Sequence, residues 1–183
     1  MTTKGKCEIC SSEVIKAKAK EHVFKCTKGD IRRSDSNRNA LYTRVASGIN
    51  YWLDICVGKS AKLSDLDHFL KGIWVEDGCG HLSQFEIGSR RFVYGVDDPE
   101  FDLDFDGESM SIPVRDVLRP SDSAVYEYDF GSTTTLSINV LADIEDVDDE
   151  KVGLLIRNVP PYPKEVNSPR AGVCGYPLLE RRR

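Results

Sequence analysis

No stretch of this 183-residue chain approaches the roughly 18 consecutive apolar residues that a membrane-spanning helix needs, so a membrane protein built on such helices is excluded. The opening residues MTTKGKCEIC carry charge without a following apolar run, which argues against a secretory leader. A cytoplasmic location is therefore expected. Histidine is scarce, with three in the chain, and leaves little material for catalysis that needs several imidazoles. A Gly-rich phosphate loop, a nucleophile elbow and an H-E-x-x-H stretch are all missing. The expectation is a protein that is not an enzyme.

What is present is ordinary in bulk: 40% apolar and 30% charged residues, the composition of a soluble globular protein. The charge is distributed unevenly. Residues 1–44 hold 11 Lys/Arg against 5 Asp/Glu, whereas residues 45–183 hold 14 against 25. A basic head of net +6 thus precedes an acidic body of net −11. The organisation follows the charge. Residues 1–36 are Cys-bearing and poor in large apolar side chains, residues 37–159 hold most of the apolar residues and both Trp, and residues 160–183 form a Pro-rich tail.

Period-2 patterning predicts strands at Leu41–Val45 and Tyr51–Val57, the second with Trp52, Asp54 and Cys56 on one side and Leu53, Ile55 and Val57 on the other. Leu63, Leu66, Phe69, Leu70, Ile73 and Trp74 recur at helical spacing, with Ser64 as the expected cap. A hairpin around Gly88-Ser89 joins Leu82–Ile87 to Arg91–Tyr94, and further strands are expected at Val125–Phe130, Thr135–Leu141 and Val152–Arg157. One main helix among short-turned strands implies an α+β fold with a largely antiparallel sheet, in a β-grasp-like order.

Chemistry concentrates at the N-terminus. Cys7, Cys10, His22 and Cys26 have the spacing C-x2-C-x11-H-x3-C. In a reducing compartment close Cys pairs read as metal ligands before disulfides. His22 and Cys26 lie four apart, so a helix through Lys16–Glu21 and beyond presents both on one face. Three thiolates and an imidazole form a closed tetrahedral set, which points to one structural Zn2+ ion in a small zinc finger. So short a unit has little core of its own, and metal binding and folding should be one event.

On that helix Ile15, Ala19, His22 and Cys26 turn toward the metal, while Lys16, Lys20, Ala17 and Phe24 turn away. Two readings are open. The lysines and Phe24, with Arg32 and Arg33 of the following polar stretch, form a nucleic-acid or partner contact; or the lysines are solvated and Phe24 packs on the neighbouring domain. A protein adaptor using the finger helix or a sheet edge is the alternative function.

Weaker signals remain. Asp102, Asp104 and Asp106 imitate half of a calcium loop, but its twelfth position is Pro113 rather than Glu. Cys79, His81 and Cys174 lack an evident fourth ligand for a second metal site. Cys56 reads as core and His68 as exposed. His81, Tyr128 and Asp129 are candidates for a pocket that binds a ligand or exchanges protons, and with them the chain would be an enzyme; alternatively Asp129 caps the turn before Gly131 while Tyr128 and His81 satisfy buried hydrogen bonds.

Several blocks carry a resemblance. Tyr51-Trp52-Leu53-Asp54-Ile55, Leu63-Ser64-Asp65-Leu66-Asp67-His68-Phe69-Leu70, His81-Leu82-Ser83-Gln84-Phe85-Glu86-Ile87-Gly88 and Tyr126-Glu127-Tyr128-Asp129-Phe130-Gly131 occur in this order. They resemble the Ri-plasmid open-reading-frame-three-like family, also labelled transposon-passenger TnpR-like, over residues 40–159. The resemblance implies an α+β fold and little about function. Ser132 and Thr134 stand where many members have an acidic residue and a Trp, and a C-terminal pair of C-x-x-C motifs found in finger-bearing members is reduced to Cys174-Gly175. The finger spacing itself is similar to that of ubiquitin-binding zinc fingers of DNA-repair proteins, which place an acidic residue where this chain has Val23-Phe24-Lys25.

Overall fold

The alternation expected over residues 51–57 is the centre of the architecture, because both of its sides are buried. The computed structural model describes residues 3–30, 39–49, 51–75, 80–97, 106–144, 149–158 and Pro169. In chain order they form β1 (Lys4–Cys7), β2 (Glu13–Ile15), α1 (Ala19–Asp30), β3 (Ala40–Ser47), β4 (Tyr51–Gly58), α2 (Leu63–Leu70), β5 (Ser83–Ile87), β6 (Arg90–Val93), β7 (Glu108–Ser109), β8 (Ser123–Tyr128), β9 (Thr134–Ile144) and β10 (Val152–Asn158). The strands make one sheet in the order β2-β1-β10-β4-β3-β9-β8-β5-β6-β7, with β6–β7 as the single parallel pair among them. The fold is mixed α and β with a mostly antiparallel sheet.

Leu53, Ile55 and Val57 of β4 join Leu41 and Val45 of β3, Leu136, Ile138 and Val140 of β9, and the apolar stripe of α2 in one core. Trp52, Cys56 and Tyr42 face the opposite way and pack with Val14, Ala19 and Val23 of the N-terminal unit in a second core. A strand covered on both faces is buried at nearly every position, as β4 is.

Two irregularities switch side chains between these cores. The β3–β9 register skips at Leu141, so Val140 faces the α2 side while Ile144 faces the N-terminal unit. The β4–β10 register slips at Leu155 and turns Ile156 toward Trp52. An extra residue opposite one partner shifts the period-2 alternation by one.

The N-terminal unit shares this sheet, since β1 pairs with β10 from Gly5↔Asn158 to Cys7↔Ile156. Gly5 allows the approach. A Cβ there would lie 2.6 Å from Ile156 Cγ2 and 2.7 Å from Trp52 Cη2. The strands β1 and β2 carry no sequence signal strong enough to predict them, being short, with Lys and Gly in β1.

Helix α2 is capped two residues before Ser64. Lys62 is the extended N-cap residue, and the Asp65 carboxylate accepts its backbone N–H at 2.7 Å. Ser64 lies inside the helix, where its N–H donates to Met110 O. After Leu70 the chain makes a π-helical turn over Lys71–Val75 that carries Trp74 and Val75 into the core.

Candidate functional site

The turn after β1 brings the first two cysteines together. Ser11 N–H donates to Cys7 O at 2.9 Å and Cys7 N–H donates to Ser12 O at 3.0 Å, with Ser11 at φ 60°. A short 3-10 turn over Lys16–Lys18 then feeds α1, which aims His22 and Cys26 at the same point. The ligand atoms of Cys7, Cys10, His22 and Cys26 all lie within 4.8 Å of one another and could hold a metal ion. His22 Nε2 is 3.4 Å from Cys10 Sγ and 3.5 Å from Cys26 Sγ.

Cys7 is buried and Cys10 is exposed, so the cluster has an inner and an outer side. Hydrogen bonds from the Ser12 side chain and backbone lower the Cys10 thiol to about 6. Burial, followed by the neighbouring Cys10 and Cys7, pushes the Cys26 thiol up to about 12. Crowded thiols that resist joint ionisation are the arrangement a cation relieves, because a bound metal supplies the missing positive charge.

The lysines and Phe24 meet the sheet. The Phe24 ring approaches Tyr42 edge-on at 6.3 Å. Lys20 Nζ donates to Leu141 O at 2.7 Å. Lys16 Nζ stands 5.9 Å from the Trp52 ring centre, and its ammonium is lowered by burial and then by nearby Arg44. Arg44 ties the units together: Nε and Nη2 bind the buried Asp54 carboxylate at 2.6 and 2.8 Å, and Nη2 also donates to Lys16 O at 3.3 Å. Tyr42 OH donates to the same carboxylate. Arg32, Arg33, Cys79, Cys174 and residues 102–105 lie outside the described residues.

His81, Tyr128 and Asp129 do come together. His81 Nδ1 is 3.8 Å from Asp129 Oδ1, its ring crosses that of Tyr128 at 5.8 Å, and its backbone N–H donates to Tyr128 OH at 3.4 Å. Asp129 sits at φ 62° and its Oδ1 accepts from the N–H of Gly131 and Ser132. That is the turn cap of the simpler reading, and it holds the carboxylate beside the imidazole.

A polar cluster that sequence reasoning missed lies next to these residues. Asp67, fully buried on α2, accepts from Ser83 Oγ at 2.6 Å and from Tyr126 OH at 2.8 Å, both on Oδ1. Lys71 Nζ lies 2.8 Å from Asp67 Oδ2, at ion-pair distance but without hydrogen-bond alignment. The signal was legible: Asp67 falls four after Leu63 and three before Leu70, inside the apolar stripe.

No protein-family model matches the chain, and no curated protein matches it. Among solved structures it is similar to a crystal structure of a protein of unknown function from Methanosarcina mazei Go1, at 17% identity and a TM-score of 0.45. The match covers 63% of this chain and 61% of that one, so the chain spans less than two thirds of the neighbour's length.

Proposed function

We propose that the chain is a zinc-binding recognition protein in which one structural Zn2+ ion secures the N-terminal unit to the sheet. The observation that carries this reading is the geometry of the four ligands. Zn–S bonds of about 2.3 Å and a Zn–N bond of about 2.0 Å at the tetrahedral angle separate S from N by about 3.5 Å, and the separations of His22 Nε2 from the Cys10 and Cys26 sulfurs are 3.4 and 3.5 Å. Three Cys and one His leave no coordination position for a substrate, so the ion serves folding. Native mass spectrometry should find one zinc per chain, lost from a Cys26→Ser variant. Full-length protein that binds no zinc would end the reading.

The partner we propose is nucleic acid, met through the basic N-terminal unit. Lys18 and Lys25 are exposed and seven residues apart, Lys25 in an exposed pair with Glu21, and their segment carries net +6. Lysines so placed neutralise phosphates, and binding should weaken steeply with salt. Charge reversal of Lys18 and Lys25 together with Arg32 and Arg33 should abolish binding to short DNA and RNA duplexes or single strands; unchanged binding removes the proposal. A second reading, a protein adaptor, is favoured by the cleft of about 320 Å3 between β2 and α1, where Ile15 is exposed beside Glu13, Glu21 and Lys25. Binding to a protein that survives high salt and is lost in Ile15→Asp would support it.

A further inference from the structure

A cleft of about 400 Å3 opens between the start of α2, the turn after β6 and the segment around β7, at the opposite end of the sheet from the cysteines. It is lined by Ser64, Ser109, Ser111, Asp97 and Tyr94, together with the apolar Val93 and Met110. That volume is in the range of small-molecule sites.

The Tyr94 ring is held with unusual care. Lys71 Nζ stands 3.7 Å from its centre, and His68 meets it edge-on at 5.8 Å. Lys71 is in turn anchored by Asp67, which Ser83 and Tyr126 fix from the sheet. Burying a Lys–Asp pair in place of apolar side chains gains little stability, because desolvation offsets the attraction. Its visible product is the fixing of Tyr94, a residue that lines the cleft. Rigid support of this kind behind a contact residue is what a binding site requires.

The charges select the ligand. Asp97 accepts hydrogen bonds from Ser109 Oγ and, at 3.2 Å, from Ser111 Oγ, and no cation pairs with it among the described residues, so an anion is repelled. Lys71 already occupies the π-system of Tyr94, so a second cation on that ring is disfavoured. Hydroxyl donors on Asp97 and the ammonium over the Tyr94 ring suit a neutral molecule with hydroxyls for Asp97 and the serines and an apolar face for Tyr94 and Met110. We infer that this cleft binds a neutral polyhydroxylated ligand of monosaccharide type, independently of the metal cluster.

The test is titration of the zinc-loaded, isotope-labelled protein with glucose, galactose and mannose, read by amide chemical shifts. Saturable shifts confined to the cleft segments 93–97 and 109–111, with affinity near millimolar, are expected from at least one sugar. Tyr94→Ala and Asp97→Asn should each weaken binding about tenfold or more, equivalent to about 1.4 kcal/mol. Lys71→Met should also weaken it while circular dichroism shows the fold intact. No saturable shift with any of the three sugars overturns the proposal. So does tighter binding of the diamine putrescine or of citrate, because either contradicts the charge selection. Should Lys71→Met fail to fold, Tyr94→Ala and Asp97→Asn still decide, since neither takes part in the buried pair with Asp67. Retention of sugar binding in the Cys26→Ser variant would separate this site from the zinc reading.

Discussion

Asp54 shows how much can hang on one side chain. Its carboxylate is fully buried, accepts from Tyr42 and Arg44, and through Arg44 reaches the backbone of Lys16. Removing one member of a buried ion pair leaves an uncompensated charge and typically costs about 3–5 kcal/mol. Asp54→Ala should lose stability in that range in urea unfolding, whereas the double variant Asp54→Leu/Arg44→Met should recover much of it. Equal losses in single and double variants would show that the pair is not coupled. Position 54 was legible as a side of a strand, because alternation is local; that a carboxylate there would be paired was not, because Arg44 reaches it only after β3 and β4 align Arg44↔Asp54.

Among the elements, α2 is the clearest to read and its start the least. The apolar stripe from Leu63 to Trp74 is a repeating signal and survives intact in the core. The cap depends on where the chain arrives, and Met110 O and Ile112 O take the amides of Ser64 and Leu63, leaving Asp65 to cap Lys62. Asp65→Ala should therefore cost about 1 kcal/mol, and Ser64→Ala much less; the reverse order in thermal or urea unfolding would contradict this cap. Strands β1 and β2 were unreadable for a related reason. Four and three residues long, they depend on β10, some 150 residues away in the chain, which pairs with β1 while β2 pairs with β1 alone, so little in the local pattern announces them.

At the scale of the whole molecule, the described residues form one sheet with a core on each face, and each core buries tyrosine. Tyr42 sits under the N-terminal unit and Tyr126 under α2. Both phenols are raised well above their ordinary value, first by burial and then by the adjacent Asp54 and Asp67 carboxylates. The folded state thus keeps both protonated, while the unfolded chain ionises them near pH 10. Their contribution to stability is complete below about pH 10 and is lost as pH rises beyond it. Urea midpoints should be flat with respect to these groups below that pH and fall above it. Tyrosinate absorbance from Tyr42 and Tyr126, isolated by Tyr→Phe variants, should appear together with unfolding; ionisation of either in the folded protein would contradict the assignment. Among the described residues no helix is long and apolar enough to cross a membrane.

The charge division between residues 1–44 and the remainder is a property of the sequence alone, and so are the metal-ligand spacing, the antiparallel α+β character and the α2 stripe. Each depends on residues within one or two turns or strands of one another. Which way the lysines and Phe24 point was settled only by tertiary structure: Trp52, Tyr42 and Leu141 stand beneath α1 and draw Lys16, Phe24 and Lys20 onto the sheet. The polar cluster behind Tyr94 arose in the same way. Asp67, Ser83, Tyr94 and Tyr126 come from four elements, and long-range strand pairing decides their meeting, which no local periodicity encodes.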